Sequence, residues 1–455
     1  MSHSRRAFLQ RTMCGALGAA AFTSGLQRFG MINALAQSQT AAATDYRALV
    51  CIFLFGGNDA NNMVIPYDGY ADYSKVRGVA GTSGSIAIAQ SDLLQIAPPS
   101  GQGIKYGLHP NLPEMQNLFN GGKLAVMNNV GTLVGPVTRA QYLSNAARPY
   151  NLFSHADQQT QWQTSISASP SATGWAGRTA DRTKSLNGAT SFPMIVSVAG
   201  ASVFTNGVQT YPIALTPGKS FGLEGFDQAR YNAVQQLLTI DRDTALVDRA
   251  SNLTAQAVGN SEVLNAAFKS AATLQTVFPN TGLGNEMKQI AQIIAARNSL
   301  GLKRQIFFCS LGGFDTHNNE LATHLSLYTQ LSKAMKAFYD ATVELGVAGN
   351  VTTFTQSDFG RTFKPAAGGG SDHAWGSHHT VMGDAVRGGD FYGKYPTLAL
   401  AGPNDSGSEG RWIPTSSVDQ YAATLATWYG LAPADLPLVF PSIGRFDSSN
   451  LGFMG

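Results

Sequence analysis

The stretch 305-QIFFCSLGGFDTHNN-319 joins a run of apolar β-formers to a pair of glycines, and then to an aspartate and a histidine two residues apart. A continuous apolar run of this kind is typical of a strand buried on both faces of a parallel sheet. Glycine after a strand lets the backbone turn tightly. Asp315 and His317 are therefore predicted to stand at a sheet edge, where a carboxylate and an imidazole can hold a metal ion.

Further runs rich in β-branched and aromatic residues predict strands in the same way. They cover 48–55, 123–130, 193–199, 350–357 and 396–402. Segments with helical spacing lie between them, at 112–120, 286–300 and 325–346. This alternation predicts an α/β fold with a large, mostly parallel central sheet and helices on both faces.

The region from about 224 to 300 has a different texture. Residues 231–260 and 262–278 have the pattern of successive helices, which predicts a helical insertion packed on the sheet. The sequence contains no proline-rich or charged linker and no long repeat. Residues 37–455 are therefore predicted to form a single α/β domain.

The N-terminus carries the pattern of an export signal. The segment 4-SRRAFLQR-11 matches a twin-arginine motif and precedes an apolar run at 14–26 and a small-residue cleavage pattern at 34–37. The apolar run is too short to span a bilayer. Residues 1–36 are therefore predicted to be a signal peptide, with the twin-arginine translocase as a partner during export and a periplasmic or secreted mature protein.

Composition narrows the class of function. Of 455 residues, 44% are hydrophobic and 13% are charged, and the formal net charge is +3, with the basic residues scattered. This distribution gives no electrostatic footprint for nucleic acid. Cys51 and Cys309 lie inside apolar strand-like runs and are predicted to be buried, inert thiols, although a disulfide between neighbouring strands stays open.

Three predicted strands end in the same way. An aspartate follows each of them within a few residues: Asp59 in 53-FLFGGND-59, Asp315, and Asp358 in 354-FTQSDFGR-361. Because ligands of open α/β sheets bind outside the carboxyl ends of the strands, these carboxylates are expected at one edge of the sheet. For Asp59 the alternative is turn chemistry, since 58-NDANN-62 is typical of a turn.

Histidines concentrate in the same part of the chain. Five of the eight fall between residues 317 and 379. The stretch 368-GGGSDHAWGSHH-379, predicted to be a glycine-rich loop, supplies Asp372, His373, His378 and His379. Imidazole with carboxylate suits zinc or manganese, and carboxylate alone suits magnesium or calcium. We expect one or two divalent ions.

A nucleophile candidate lies in 152-LFSHADQQTQWQ-163. Ser154 is predicted to stand at the start of a helix, where backbone N–H groups favour an anion. Ser154 and Asp157 also fit a capping box, which alone would explain them. The sequence has no G-x-S-x-G elbow, no phosphate-binding P-loop, no dinucleotide fingerprint and no C-x-x-C pair.

Taken in order, these motifs resemble the bacterial family named domain of unknown function 1501. The resemblance covers nearly the whole predicted mature chain. It is carried by 55-FGGNDANNMVIPYD-68, 107-GLHPNLPEM-115, 153-FSHADQQTQWQ-163, 174-GWAGR-178, 312-GGFDTH-317, 357-SDFGRT-362 and 371-SDHAWGSHH-379.

A handful of these residues is similar to the alkaline phosphatase and sulfatase superfamily. That similarity implies an α/β sandwich with one or two metal ions at the strand ends and a nucleophile at a helix start. It implies Ser154 as the nucleophile, Asp59 and Asp358 as carboxylate ligands, and Asp315 with His317 as ligands of one metal. His373, His378 or His379 would complete that metal. Phe359 departs from the superfamily, which commonly has a histidine there.

The leading functional prediction is an exported metal-dependent hydrolase of phosphate or sulfate esters. Ser154 would attack, and Arg361 with the metal would neutralise the ester oxyanion. The alternative is a non-catalytic exported binding or assembly protein that keeps a structural cation or a site for an anionic glycan. A partner of another exported protein is the third possibility.

Overall fold

The computed structural model describes residues 45–145, 148–219, 221–223, 226–240 and 244–455. The predicted signal peptide lies outside these residues. The strands are β1 (Arg47–Phe55), β2 (Val64–Pro66), β3 (Leu94–Ile96), β4 (Tyr106–Leu108), β5 (Leu124–Gly131), β6 (Ile195–Ser197), β7 (Ile213–Ala214), β8 (Arg304–Gly312), β9 (Val351–Ser357), β10 (Ser377–Met382), β11 (Phe391–Gly393) and β12 (Ser416–Ser417).

The α-helices alternate with these strands along most of the chain. They are α1 (Ala60–Met63), α2 (Tyr70–Arg77), α3 (Pro113–Asn120), α4 (Arg139–Leu143), α5 (His155–Thr164), α6 (Trp175–Thr183), α7 (Gln228–Leu237), α8 (Ala245–Ser270), α9 (Gly282–Ala295), α10 (Glu320–Glu344), α11 (Val418–Tyr429) and α12 (Leu436–Val439). Within the described ranges, no helix is long and apolar enough to cross a membrane.

A central sheet organises the described part of the chain. Its strand order is β11-β5-β10-β9-β1-β8-β6-β7, and β12 adds to β5. β1 runs parallel to both of its neighbours, β8 and β9. β10 runs antiparallel to β5 and to β9. The predicted α/β fold with a mostly parallel sheet is confirmed.

The sheet is buried on both faces. Every residue of β5 and β9 is buried, as are the seven central residues of β1. Because successive side chains of a strand point to opposite faces, such runs require cover on both sides. The continuous apolar runs in the sequence predicted strands buried on both faces, and this prediction is confirmed for β1, β5 and β9.

Two strand predictions were wrong. Residues 396–402 form no strand; this segment lies in a loop. Residues 377–379, predicted as the end of a glycine-rich loop, begin β10 (Ser377–Met382), where SHHTVM is buried at every position. Polar residues at four of its six positions concealed this strand from a search for apolar runs.

The region of the predicted insertion is helical but is divided differently. The two predicted helices at 231–260 and 262–278 correspond to α7 and to a single long α8. The helix predicted at 286–300 is α9, which begins at Gly282 and ends at Ala295.

The two cysteines are buried and unpaired. The thiol of Cys309 donates to the carbonyl oxygen of Cys51 at 3.3 Å, and both thiols are free. Burial raises the pKa of each thiol well above its ordinary value. This environment is that of inert core cysteines.

Asp419, in the first turn of α11, predicts a pH dependence of stability. Burial raises its pKa from 3.8 to about 7. Between these values the folded protein keeps a proton that the unfolded chain has lost, so stability falls as the pH rises through this window. Between pH 4 and pH 7 we expect the free energy of unfolding of wild type to fall by on the order of 3 kcal/mol more than that of Asp419→Asn, as measured by urea unfolding. Equal losses in the two proteins would contradict the assignment, and Asp340→Asn, in a half-exposed carboxylate that pairs with Lys336, is the control.

Candidate metal centre

The carboxyl ends of three neighbouring strands position the site. In the register of the sheet, Phe55 of β1 lies beside Gly312 of β8, and Leu54 of β1 lies beside Ser357 of β9. Asp315 follows β8 by three residues and Asp358 follows β9 directly. The strand ends therefore bring the turns that carry these two carboxylates to one edge of the sheet.

Two glycines allow the close approach of the loops. Gly56 has φ +113°, and a Cβ there would lie 2.3 Å from the backbone nitrogen of Asp315. A Cβ on Gly370 would lie 2.2 Å from the carbonyl carbon of His317. Side chains at either position would force the loops apart, so glycine is required for the site to close.

His155, the first residue of α5, is a site residue that the sequence analysis missed. Its Nδ1 lies 2.6 Å from Oδ2 of Asp358, and Nε2 of Gln159 donates to the same oxygen at 2.8 Å. One helical turn therefore presents both partners of Asp358. His155 lies far in sequence from the five histidines at 317–379, so no local cluster marked it as a site residue.

His373 and His317 are oriented in the same manner. Nδ1 of His373 donates to the carbonyl oxygen of Phe153 at 2.8 Å. Nδ1 of His317 lies 3.1 Å from Oδ1 of Asp372. In all three histidines an oxygen therefore holds Nδ1, and Nε2 is left for the interior of the site.

The three Nε2 atoms converge on Asp315. Nε2 of His373 lies 3.1 Å from that of His155 and 3.0 Å from that of His317. Oδ1 of Asp315 lies 2.9 Å from Nε2 of His317, 3.3 Å from that of His373 and 3.5 Å from that of His155. We call His155, His317, His373 and Asp315 the three-histidine site.

The tautomers follow from the partners. A carbonyl or carboxylate oxygen can only accept, so each Nδ1 carries a proton, and in a neutral ring Nε2 then turns a bare lone pair inward. The three Nε2 atoms lie 2.9 to 3.5 Å from Oδ1 of Asp315, and Nε2 of His373 lies 3.0 to 3.1 Å from the other two. The repulsion between these acceptor atoms falls when a positive charge lies between them. A single added proton bridges one pair of acceptors, whereas a metal ion can bind several of them at once.

The donor set fits a divalent metal. Ligand atoms of His155, Asp315 and His373 lie within 4.8 Å of one another. Two ligands of a tetrahedral zinc ion are about 3.3 Å apart, given zinc–nitrogen distances of about 2.0 to 2.1 Å. A set rich in imidazole favours zinc over magnesium or calcium, which prefer oxygen.

Burial and neighbouring polar groups shift the pKa values of the site residues in opposite directions. The hydrogen bond to Asp358 raises the pKa of His155, although burial acts in the opposite sense. Burial lowers the pKa of His373. Burial alone would raise the pKa of Asp315, but Arg361, His317 and His155 outweigh it and the pKa lies below its ordinary value.

Asp358 and Asp372, predicted as metal ligands, each contact Nδ1 of a histidine of the three-histidine site. Asp358 is fully buried, and its two oxygens accept from His155, Gln159 and the backbone N–H of Gly56. Asp372 holds His317. Phe359, next to Asp358, packs against the rings of His155 and His373 at 4.8 and 4.7 Å.

Arg361 is placed differently from its predicted role at an ester oxyanion. Its side chain is fully buried, and Nη1 donates to Asp315 at 2.8 Å. Its other hydrogen bonds go to the carbonyl oxygen of Gly56 and to Ser371. The guanidinium therefore anchors the carboxylate of Asp315.

Ser154 is the N-cap residue of α5, but it does not form the expected capping box. Its Oγ donates to Oδ2 of Asp157 at 2.6 Å, and the side chain makes no capping bond. Phe153 before it has φ +72°, a backbone conformation that is strained for a bulky residue. The strain is held by His373, which binds the Phe153 carbonyl oxygen, and by Gln158, which accepts from its N–H.

Three other predicted ligands lie elsewhere. Asp59 caps α1 and forms a buried ion pair with Arg77 at 2.5 Å, which supports the turn alternative. His378 stacks on Tyr395, and its Nδ1 accepts from the backbone N–H of Asn129. His379 packs 4.6 Å from Trp162. The two histidines belong to β10, so their rings are held within the sheet layers.

The support that Asp358 gives to His155 predicts an effect on affinity. Partners of this kind typically contribute about 10- to 100-fold to metal binding. We expect Asp358→Asn to weaken zinc binding by that factor in chelator competition. Asp181→Asn, in a carboxylate that accepts from the backbone of residues 208–210, is the control and is expected to bind zinc as wild type does. Unchanged affinity in Asp358→Asn would contradict the role.

Comparison with solved structures finds sulfatase and phosphonate hydrolase folds at low similarity. Ps i-CgsB in complex with k-i-k-neocarrahexaose is 9% identical over 87% of this chain and 74% of its own, with a TM-score of 0.36. The PsFucS1 sulfatase from Pseudoalteromonas sp. is 9% identical over 91% and 73%, with a TM-score of 0.32. The phosphonate monoester hydrolase SpPMH from Silicibacter pomeroyi is 8% identical over 87% and 77%, with a TM-score of 0.34.

Similarity this low says nothing about the activity of the chain. No curated protein matches the sequence. The motif resemblance is confirmed by a family model that matches residues 46–406, and the chain belongs to the family described as Protein of unknown function (DUF1501).

Proposed function

We propose that the protein is an exported, metal-dependent hydrolase of phosphate or sulfate esters. The observation that supports this most is the convergence of three Nε2 atoms on a carboxylate oxygen, an arrangement that suits a bound cation. His155, His317, His373 and Asp315 would hold the ion. A bound ion would supply Lewis acidity toward an ester oxygen and offset the negative charge of the substrate.

The proposed nucleophile is Ser154. It lies between Phe153, whose carbonyl oxygen binds His373, and His155 of the site. As its Oγ attacks phosphorus or sulfur, the proton passes to Asp157, which already accepts it at 2.6 Å. The bond from phosphorus or sulfur to the alcohol oxygen breaks, and the departing alkoxide takes up that proton from Asp157. Water then attacks the seryl ester, one of its protons returns to Oγ of Ser154, and phosphate or sulfate is released.

The proposed anion-binding group is Arg411, in place of Arg361. Its Nε donates to the carbonyl oxygen of His373 at 2.9 Å, and its guanidinium lies 5.3 Å from the ring centroid of Phe153. None of the ion pairs between described residues uses Arg411. A half-buried guanidinium beside His373 and Phe153, the residue before Ser154, is suited to a tetrahedral oxyanion.

A second candidate is a non-catalytic role with a structural cation. Four protein groups meet in the three-histidine site, and structural zinc sites are closed by four protein ligands. Against this, the side chains of His317 and Asp315 are 43% and 47% exposed, which leaves room for a substrate to approach. The hydrolase is the better supported of the two.

The test is turnover of chromogenic phosphate, phosphonate and sulfate esters by the zinc- or manganese-loaded protein. We expect metal-dependent hydrolysis of at least one class, and in Arg411→Met a kcat/KM lower by about 10- to 100-fold, since a charge-assisted bond is lost. The control is Arg387→Met, an exposed arginine beyond the far end of β10. No turnover with any class in the metal-loaded protein would favour the structural cation.

A further inference from the structure

A second group of metal-competent side chains lies in the interior. Ligand atoms of Asp59, Glu320 and His324 are within 4.8 Å of one another, and all three side chains are fully buried. The group adjoins the three-histidine site, because Glu320 accepts hydrogen bonds from Thr316 at 3.0 Å and from Ser371. Thr316 directly follows Asp315, and Ser371 directly precedes Asp372.

Part of this group lacks partners. Neither ring nitrogen of His324 has a hydrogen-bond partner among the described residues. A buried imidazole without partners is costly, so such an arrangement is what an ion-binding pocket would present. By its side chains alone the group would qualify as a second metal site.

A cation of the chain already occupies the group. Arg77 is fully buried, and it donates to both oxygens of Asp59, at 2.5 and 2.9 Å. The same Nη1 lies 3.5 Å from Oε1 of Glu320. Its guanidinium also lies 5.3 Å from the ring centroid of Phe363, and it donates to the carbonyl oxygen of Thr362.

This charge excludes a second cation. Arg77 balances Asp59, so a divalent ion added to the same pocket would leave an excess of positive charge in a place that water does not reach. A guanidinium cannot release its proton to make room. A metal ion could enter only if Arg77 left.

We propose that Arg77 is a fixed cation in the place of a second divalent ion, and that the protein consequently binds one ion per chain. The inference rests on the proposed metal site, because the single ion is the one in the three-histidine site.

The experiment is elemental analysis of the full chain after loading with zinc and removal of free metal. We expect about one equivalent in wild type and in Arg77→Lys, which keeps the cation. We expect about two equivalents in Arg77→Met, and a return to about one in Arg77→Met combined with His324→Ala. Two equivalents in wild type, or one in a folded Arg77→Met, would overturn the proposal.

Two further variants keep the test decisive. If Arg77→Met does not fold, His324→Ala in the wild-type background replaces it: an unchanged single equivalent supports the proposal, and the loss of one of two equivalents refutes it. Asp315→Ala separates this inference from the proposed function. If wild type binds no zinc, the three-histidine site itself has failed; if it binds two and Asp315→Ala removes one, only the role of Arg77 has failed.

Discussion

Asp315→Ala is expected to abolish stoichiometric metal binding. Oδ1 of Asp315 is the common neighbour of all three Nε2 atoms, at 2.9, 3.3 and 3.5 Å. Its removal deletes the negative charge among the acceptors and also frees Arg361, which would then carry an unpaired charge toward the site. We expect affinity to fall at least about a thousandfold, since loss of supporting partners alone costs up to about a hundredfold.

The measurement is metal content after purification without chelator, with Asp340→Ala as the control. Asp340 is half-exposed on α10 and pairs with Lys336. It is expected to leave the metal content unchanged. A full equivalent of metal in Asp315→Ala, lost only when other residues are changed, would show that the ion binds elsewhere.

Ser154→Ala is expected to remove turnover while the metal stays bound. If Ser154 is the nucleophile, its replacement leaves no atom to form the covalent intermediate, and kcat should fall by at least about a thousandfold. Metal content should not change, because Oγ of Ser154 contacts Asp157 and no residue of the three-histidine site.

The control for this variant is Ser144→Ala, an exposed serine after α4 whose hydroxyl donates only to the carbonyl oxygen of Gln141. Its turnover should equal that of wild type. Turnover within tenfold of wild type in Ser154→Ala, with the same metal content, would rule out the serine as nucleophile and leave the metal centre intact.

The part of the site that the sequence predicted is the part fixed by strand ends. Residues 305–311 and 350–357 read correctly as strands, and the parallel register does bring the turns carrying Asp315 and Asp358 together. His317 and His373 also lie where the loops meet. Strand burial and turn chemistry are local properties, so the sequence pattern carries them.

What the sequence did not predict depends on contacts between distant residues. His155 is 203 residues from Asp358, and only the packing of α5 on the end of β9 makes it a site residue. The capture of Asp59 by Arg77 and the sealing of Arg361 beneath Asp315 arise in the same way. Asp315 lies among the Nε2 atoms and Asp358 holds a histidine from behind, yet both are aspartates at strand ends. The residue type therefore cannot distinguish a proposed metal ligand from a residue that orients one.

The predictions of a signal peptide, of twin-arginine export and of a single domain at 37–455 stay predictions. The first of them concerns residues outside those that the structure describes. The proposed function assumes an exported protein, so it depends on the first two of these predictions. The two buried cysteines are unpaired, and they neither support nor oppose export.

The most direct measurement is a crystal structure of the zinc-loaded protein with anomalous diffraction data collected at the metal edge. We predict one strong anomalous peak about 2.0 to 2.2 Å from an oxygen of Asp315 and from at least two of the Nε2 atoms of His155, His317 and His373. A crystal of fully loaded protein with no peak there, or with its peak at Asp59 and His324, would contradict the account.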